Sequence, residues 1–372
     1  MNSRIKEKLD KIEELYPAER INKSIERFTR VWKGEKPLDR YPFTYGQMSF
    51  GYYDDVHTPD QRVNITLDEM IFHGTLNDDY VPSFFPGCKQ STIPSMFGAR
   101  EIIIGRDHSC EKVIFSNEDV YSLPEPSMGP GTVAYEWLEM QKYMVDATDG
   151  RMPIHVADMQ GPFEVAGQLW GYDNLFMCAY EEPETYHHLL SKTTEAFLMF
   201  WEEQKRIVGK GFVPTHLFGW SWVPENMGAS ISADSIVMIS PDFFDEFYTP
   251  YIERIGKRLG DLSVHSCGDF SNVFNNLTKI PCVKAINAGQ MTVEQLVKAG
   301  LDDSTVAIVL SDVRNTKEMF DIIKKYSLRI DLSVINIWPT LDNRFLLPEE
   351  MNRQHWDEIR RLDAMISEYA AK

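Results

Sequence analysis

The feature that most constrains the fold is the alternation of short apolar or β-branched runs with amphipathic helical stretches. Strands are predicted at 42–47, 78–84, 153–159, 212–220, 262–268, 283–289, 305–312 and 330–339. Helical patterns lie between them, for example at 183–208, 240–260, 292–300 and 316–326. This alternation requires a parallel sheet that helices cover. It predicts an α/β fold, a single (β/α)₈ TIM barrel. An open doubly wound sheet is the alternative, although no Gly-rich turn follows the first strand.

The first 40 residues precede the barrel pattern. Ile5, Leu9, Ile12 and Leu15 form one apolar stripe at helical spacing. We therefore predict an N-terminal helical extension at 1–40 and a barrel domain at 41–372. The N-terminal segment lacks the apolar core of a signal peptide, and no apolar run is long enough to span a bilayer. These features predict a cytoplasmic protein.

The net charge argues against certain binding partners, and the cysteine content argues against disulfide bonds. The formal net charge of -18 argues against nucleic acid and anionic membranes as partners. The five cysteines are odd in number and scattered, which favours reduced thiols over a disulfide framework. Among them, Cys88, Cys110 and Cys178 have the pattern of ordinary buried thiols.

The stretch V-H-S-C-G-D (264–269) carries the strongest single signal for chemistry. His265 and Cys267 are two positions apart at the end of a predicted strand, so both side chains point to the same face. An imidazole beside a thiol suits zinc, or an activated thiol. Catalytic zinc requires a third protein ligand. Candidates for it are His216, Asp312, Asp158, Glu225 and Asp234. Cys282 is discounted, because it begins strand six and should lie at the opposite end of the barrel.

Other polar and aromatic residues fall near the predicted carboxyl ends of strands, where barrel active sites are built. They are Tyr45, Gln47, Asp158, Gln160, His216, Trp220, Trp222, Asp312 and Asn336. The catalytic candidates are Asp158, His216 and Asp312. Each has a structural alternative: the aspartates could cap helices, and His216 could be a hydrogen-bonded core histidine. The tryptophans could simply cover the barrel mouth, or line an apolar pocket.

Five motifs, in order along the chain, resemble the uroporphyrinogen decarboxylase superfamily, and in particular its corrinoid-dependent methyltransferase-like branch. They are K-G-E-K-P-L-D-R-Y-P (33–42), D-M-Q-G-P-F-E-V-A-G-Q-L-W-G (158–171), E-E-P-E-T-Y-H-H-L-L (181–190), I-S-P-D-F-F-D-E-F-Y-T-P-Y-I-E-R-I (239–255) and H-S-C-G-D (265–269). The resemblance implies a (β/α)₈ barrel. True decarboxylases carry an R-Q-A-G-R-Y segment where this chain reads D-R-Y-P-F-T-Y-G-Q (39–47). The missing arginine pair, together with the acidic net charge, argues against a porphyrinogen substrate.

Members of the methyltransferase branch bind zinc through H-x-C and a later cysteine. His265 and Cys267 match the first two ligands, and the later cysteine is absent here. The resemblance implies methyl transfer between a small substrate and the cobalt of a partner corrinoid protein. An aromatic methyl ether, a methylated amine or a thiol would suit the predicted pocket, which comprises Tyr45, Gln47, Gln160, Phe218, Trp220, Trp222, Met227 and Asn336.

Three hypotheses therefore remain. The first is the zinc-dependent methyltransferase, with corrinoid supplied by a partner protein. The second is a metal-free decarboxylase or lyase of the same superfamily, in which Asp158 or Asp312 stabilises a developing cation or protonates a carbanion. The third is a non-catalytic binding protein on the same scaffold. A homodimer is compatible with all three, and the sequence does not determine the oligomeric state.

Overall fold

The strands are short and mostly parallel. In this computed structural model, the described residues are 2–46, 58–104, 107–216, 222–335, 337–341, 344–346 and 350–371. The strands are β1 Phe43–Tyr45, β2 Glu101–Ile104, β3 Asp107–Cys110, β4 Ile154–His155, β5 Phe212–Val213, β6 Met227–Ser232, β7 Asp261–Ser266, β8 Val283–Ala288, β9 Val306–Asp312, β10 Ile330–Ile335, β11 Thr340–Leu341 and β12 Arg344–Phe345. The pairs β2–β3 and β11–β12 are antiparallel hairpins.

Six strands form one parallel sheet in the order β1–β10–β9–β8–β7–β6. The remaining arc is irregular. The Asp79 N–H donates to the Phe43 carbonyl at 2.8 Å, Phe84 pairs with Ile154, and β4 pairs with β5. A parallel bridge from Gln160 to Ser232 joins this arc to β6. The sheet thus closes, and the predicted α/β TIM barrel is confirmed.

The irregular arc differs from the predicted strands in two places. The segment 78–84 pairs only at isolated positions, Asp79 with Phe43 and Phe84 with Ile154, and Pro82 has no N–H to donate to a ladder. Of the predicted strand 212–220, β5 covers Phe212–Val213, and 217–220 lie outside the described residues. β5 pairs with β4, and β6 meets the segment after β4 through the bridge from Ser232 to Gln160. Sequence reasoning missed β6 because M-G-A-S-I-S is rich in small residues of low β propensity. At Gly228 no side chain fits, since a Cβ there would lie 2.0 Å from the Leu259 carbonyl oxygen.

Helices cover the barrel. They are α1 Ser3–Leu15, α2 Ala18–Trp32, α3 Pro59–His73, α4 Thr92–Ser95, α5 Asn117–Ser122, α6 Val133–Thr148, α7 Pro162–Trp170, α8 Tyr172–Glu181, α9 Pro183–Val208, α10 Pro241–Phe243, α11 Thr249–Leu259, α12 Phe274–Lys279, α13 Val293–Ala299, α14 Thr316–Tyr326 and α15 Arg353–Ala370. A π-helical turn, Phe244–Tyr248, joins α10 to α11, and 3₁₀ helices lie at Gly209–Gly211, Asp234–Met238 and Val313–Asn315. The predicted helices at 183–208 and 316–326 are confirmed with those bounds.

The N-terminal helices pack against the amino-terminal side of the barrel. Ile5, Leu9 and Ile12 are fully buried, as their spacing predicts, and they join a core cluster with residues of α3 and α6. The larger core lies between the sheet and the outer helices. Among the described helices, none combines the length and the apolar composition needed to cross a bilayer.

Candidate metal centre

Three potential metal ligands converge at the carboxyl ends of β6 and β7. Ligand atoms of Asp234, His265 and Cys267 all lie within 4.8 Å of one another. The Cys267 Sγ is 3.4 Å from the His265 Nε2, which is 3.7 Å from the Asp234 Oδ1. Of the candidates for a third ligand, the structure brings Asp234 to the pair. Sulfur, imidazole nitrogen and carboxylate oxygen are the donors that zinc accepts in catalytic sites.

The barrel scaffold fixes the positions of these three residues. His265 lies on β7, in register with Ser232 of β6 and Asn287 of β8, and Cys267 follows directly after β7. Asp234 starts the 3₁₀ helix that follows β6. Two hydrogen bonds from backbone N–H groups tie these segments together: Ala233 donates to the His265 carbonyl at 2.8 Å, and Cys267 donates to the Asp234 side-chain Oδ1 at 2.7 Å. The cluster therefore does not depend on a long flexible loop.

The hydrogen bonds of His265 select the tautomer that a metal requires. The Asn287 side-chain nitrogen donates to the Ile308 carbonyl at 3.4 Å, which turns the Asn287 oxygen toward His265 Nδ1. The Nδ1–H donates to that oxygen, so the lone pair of the neutral ring is on Nε2, facing Cys267 and Asp234. Burial lowers the pKa of His265, which keeps the ring neutral near pH 7. The residues present thus fit a zinc ion.

Cys267 is protonated when no metal is bound. Burial, reinforced by the Asp234 carboxylate, raises the pKa of its thiol to about 12. A thiolate at this position therefore needs a cation, and zinc binding must release the thiol proton.

A second polar network lies beside the ligand cluster. The Asp158 carboxylate is 2.8 Å from His216 Nε2, and it accepts a 2.7 Å hydrogen bond from the Ser232 hydroxyl. The Ser230 hydroxyl lies 2.7 Å from His216 Nδ1 and also accepts the His216 backbone N–H. Although burial opposes ionisation, His216 and Ser232 hold the pKa of Asp158 below its usual range. Gln160 adds a 3.4 Å contact to the other oxygen of Asp158.

A buried carboxyl group that the sequence analysis did not select lies next to the segment that carries Asp234. Glu164, in the first turn of α7, accepts hydrogen bonds from the Ser235 hydroxyl and backbone N–H and, at 3.1 Å, from the Tyr248 hydroxyl. Burial raises the pKa of Glu164 to about 7. Because Ser235 follows Asp234 directly, these bonds anchor the start of the 3₁₀ helix. Glu164, Asn287, Ser230 and Ser232 were missed because their significance depends on neighbours from other strands.

Several predicted pocket residues lie elsewhere. Tyr45 is fully buried, and its hydroxyl donates to Asp363 of α15 at 2.7 Å, because its strand position faces the helical layer. Met227 starts β6 and pairs with Asp261, the first residue of β7, so it lies at the amino end of the barrel. Trp222 lines a cavity together with Pro153 and Phe212, at that same end. These three positions do not support the predicted role in a pocket at the carboxyl end.

Asp312 caps a helix, which the sequence analysis gave as the structural alternative to a catalytic role. It lies at the carboxyl end of β9, where it accepts the Arg314 backbone N–H at 2.9 Å and pairs with the Arg314 guanidinium at 2.8 Å. It thus caps the 3₁₀ helix Val313–Asn315 and is not among the clustered ligand groups. Glu225 lines the amino-end cavity, at the other end of the barrel from His265. The predicted residues Gln47, Phe218, Trp220 and Asn336 lie outside the described residues.

Comparison with known proteins agrees with the fold. Residues 91–207 match the sequence model of the family "Uroporphyrinogen decarboxylase (URO-D)", which is less than half of the chain. A solved methyltransferase from Methanosarcina mazei is similar in structure, with a TM-score of 0.64 and 13% sequence identity, over 92% of this chain and 98% of that chain. No curated protein matches the sequence. The family match and the shared fold confirm the resemblance to the uroporphyrinogen decarboxylase superfamily that the sequence motifs indicate.

Proposed function

We propose that this protein is a zinc-dependent methyltransferase, which moves a methyl group between a small substrate and the cobalt of a partner corrinoid protein. The observation that carries the proposal is the convergence of Asp234, His265 and Cys267, with the second nitrogen of His265 bound to Asn287. The superfamily resemblance and the methyltransferase of similar fold support the reaction class. In this proposal Asp234 supplies the third ligand, the place that a later cysteine takes in the methyltransferase branch.

Zinc bound by these three residues would stabilise negative charge on the heteroatom that loses or gains the methyl group. The protein contributes the positions of the ligand atoms. His265 is buried in the barrel, and Asn287 fixes its ring, so the ligand atoms are oriented before any substrate arrives.

The Asp158–His216 pair is the proposed acid/base group. A heteroatom that loses a methyl group as a formal cation keeps the bonding electron pair and needs a proton. His216 Nε2 is within hydrogen-bond distance of both Asp158 and Ser232, so this network can hold a proton close to the ligand cluster. Ser230 and Ser232 fix the ring from two sides. The substrate is proposed to be an aromatic methyl ether or a methylated amine or thiol.

Metal content tests the proposal first. The protein is purified without an affinity tag, and zinc is counted per chain in wild type, Cys267→Ser and Cys282→Ser. Cys282 is a matched control because it is a partly buried thiol at the amino end of β8, near the Ile252 carbonyl. We expect about one zinc per chain in wild type and in Cys282→Ser, and near zero in Cys267→Ser. Wild-type protein that stays metal-free after zinc is added back would rule out the zinc enzyme.

Methyl transfer is tested with cob(I)alamin in place of the partner protein. Zinc-loaded protein is mixed with cob(I)alamin and a panel of aryl methyl ethers, methylamines and methyl thioethers, and methylation of the cobalt is followed by absorbance. Turnover that depends on Cys267 supports the proposal. The reverse reaction is tested with methylcobalamin and thiol acceptors. Metal binding with no turnover in either direction would favour the binding-protein alternative. A metal-free wild type would leave the lyase, with Asp158 as the group to examine.

A further inference from the structure

A cavity of about 630 Å³ lies at the amino end of the barrel, at the end opposite to the ligand cluster. Its walls come from the N-terminal helices and from the starts of the barrel strands, and they include Ile12, Ile25, Val81, Met152, Phe212 and Trp222. Its volume falls within the range of small-molecule sites, which are mostly apolar with a few placed polar groups. A mainly apolar cavity of this size is a candidate ligand-binding site.

One polar pair faces this cavity. Ser83 and His155 are both buried, and the Ser83 Oγ is 2.9 Å from His155 Nε2. The His155 Nδ1 lies 2.6 Å from the Thr215 carbonyl oxygen, which can only accept, so Nδ1 carries the proton. Burial lowers the pKa of His155 to about 4, which keeps the ring neutral. The Ser83 hydroxyl therefore donates to Nε2, and its own oxygen can still accept a hydrogen bond.

The charged residues of the cavity lining balance. Glu13 and Glu225 carry negative charge, and Arg151 and Lys210 carry positive charge. Arg151 is already paired with Glu13 at 2.7 Å. A charged ligand would therefore gain little from this lining, whereas a neutral ligand meets a mainly apolar wall.

We propose that this cavity binds a small, neutral, largely apolar molecule that carries one O–H or N–H group, such as a phenol or an aliphatic alcohol. The apolar body fills the space between α1, α2 and the strand starts. The O–H or N–H donates to the Ser83 oxygen, which extends the chain of hydrogen bonds through His155 to Thr215. The site is independent of the metal centre and of the proposed methyl transfer.

Equilibrium dialysis with two probes of matched shape tests the proposal. In 1-naphthol a hydroxyl stands where 1-methylnaphthalene has a methyl group. We expect about one 1-naphthol per chain, with affinity unchanged after zinc is removed by chelation. Ile25→Trp, which fills the cavity from α2, should weaken binding about tenfold or more. Ser83→Ala should reduce the preference for 1-naphthol over 1-methylnaphthalene about fivefold, since one hydrogen bond is lost.

Two controls make the outcome decisive. Ile322→Trp adds the same side chain to a half-buried position on α14, away from the cavity, and should bind 1-naphthol like wild type. If Ile25→Trp does not fold, Ile21→Phe fills the cavity from the same helix. No binding of 1-naphthol to wild type, equal binding to a folded cavity-filling variant, or loss of binding in Cys267→Ser would each overturn the proposal.

Discussion

The two ends of the barrel differ in how their polar groups are used. At the carboxyl end, the ligand atoms of Asp234, His265 and Cys267 lie close together, and Asn287 holds the His265 ring. The network of Asp158, His216 and Ser232 lies beside them. At the amino end, the described lining is mainly apolar, with Ser83 and His155 as its buried polar pair. Both ends are built from the same strands. The difference follows from the strand direction, because parallel strands bring their following loops together at the carboxyl end only.

The largest expected effect tests whether acid/base chemistry belongs to the carboxyl end. Asp158→Asn removes the carboxylate that accepts from Ser232 and lies beside His216. If the pair transfers a proton, turnover with cob(I)alamin and the active donor should fall about 10²- to 10⁴-fold, while zinc content stays the same. Rates and metal content are measured on one preparation. A rate within a few-fold of wild type would confine Asp158 to a structural role.

The next prediction concerns the buried carboxyl behind Asp234. The folded-state pKa of Glu164 is about 7, above its ordinary value of 4.5, so folded protein binds the proton more tightly than unfolded protein does. The contribution of Glu164 to the unfolding free energy is therefore complete below pH 4.5 and is lost as pH rises through 7. The loss amounts to about 3 kcal/mol.

Glu164→Gln should remove this loss. The free energy of unfolding of the variant, minus that of wild type, should therefore rise between pH 5 and pH 8. Urea unfolding of metal-free protein at four pH values measures the effect. Glu181→Gln, at an exposed position on α8, is the control and should follow the wild-type pH dependence. A parallel shift of Glu164→Gln at all pH values would contradict the prediction.

A smaller effect should come from the residue that orients the histidine ligand. Asn287→Ala leaves the three proposed ligands intact but removes the acceptor for His265 Nδ1. Loss of such a partner should lower zinc affinity about 10- to 100-fold. Competition with a chromogenic chelator measures the affinity, and Asn275→Ala, an exposed change on α12, is the control. An unchanged affinity would mean that the ring is held by packing alone.

The smallest expected effect concerns Tyr45, which we expect to take part neither in the metal centre nor in the cavity at the amino end. Its hydroxyl donates to Asp363 inside the helical layer. Tyr45→Phe should therefore lower the free energy of unfolding by about 1 kcal/mol through the lost hydrogen bond. Zinc affinity and 1-naphthol binding should not change. A change in KM for the methyl donor, with stability unaltered, would instead support the predicted role of Tyr45 in substrate binding.

Much of the architecture could be predicted from local patterns. The helices α9 and α14 were predicted with the bounds that the structure shows, because their apolar period and termini are encoded within the helices themselves. The pair His265 and Cys267 was found because both lie on one short segment. By contrast, β6 was missed, since its small buried residues carry no strand pattern, and the close approach of the Leu259 backbone that requires Gly228 is a tertiary contact.

The candidate site divides in the same way. Asp158 and His216 were identified, but their connection through Ser232 was not, because Ser232 lies on a strand that was not predicted. Asp234 was only one of five candidates for the third ligand, and no spacing rule selects among residues on different strands. Tyr45, Trp222 and Met227 were placed in the pocket because single-sequence patterns do not determine which face or end of a barrel a residue occupies.

The sequence by itself determined the repeating strand–helix order, the acidic surface charge and the local pairing of His265 with Cys267, since each depends on residues close together in the chain. Only the tertiary structure decided that Asp234 joins them, that Asn287 selects the His265 tautomer, and that an apolar cavity lies at the other end. These features depend on strand register and on the closing of the ring, where residues distant in sequence are brought within a few ångströms by packing of the whole core.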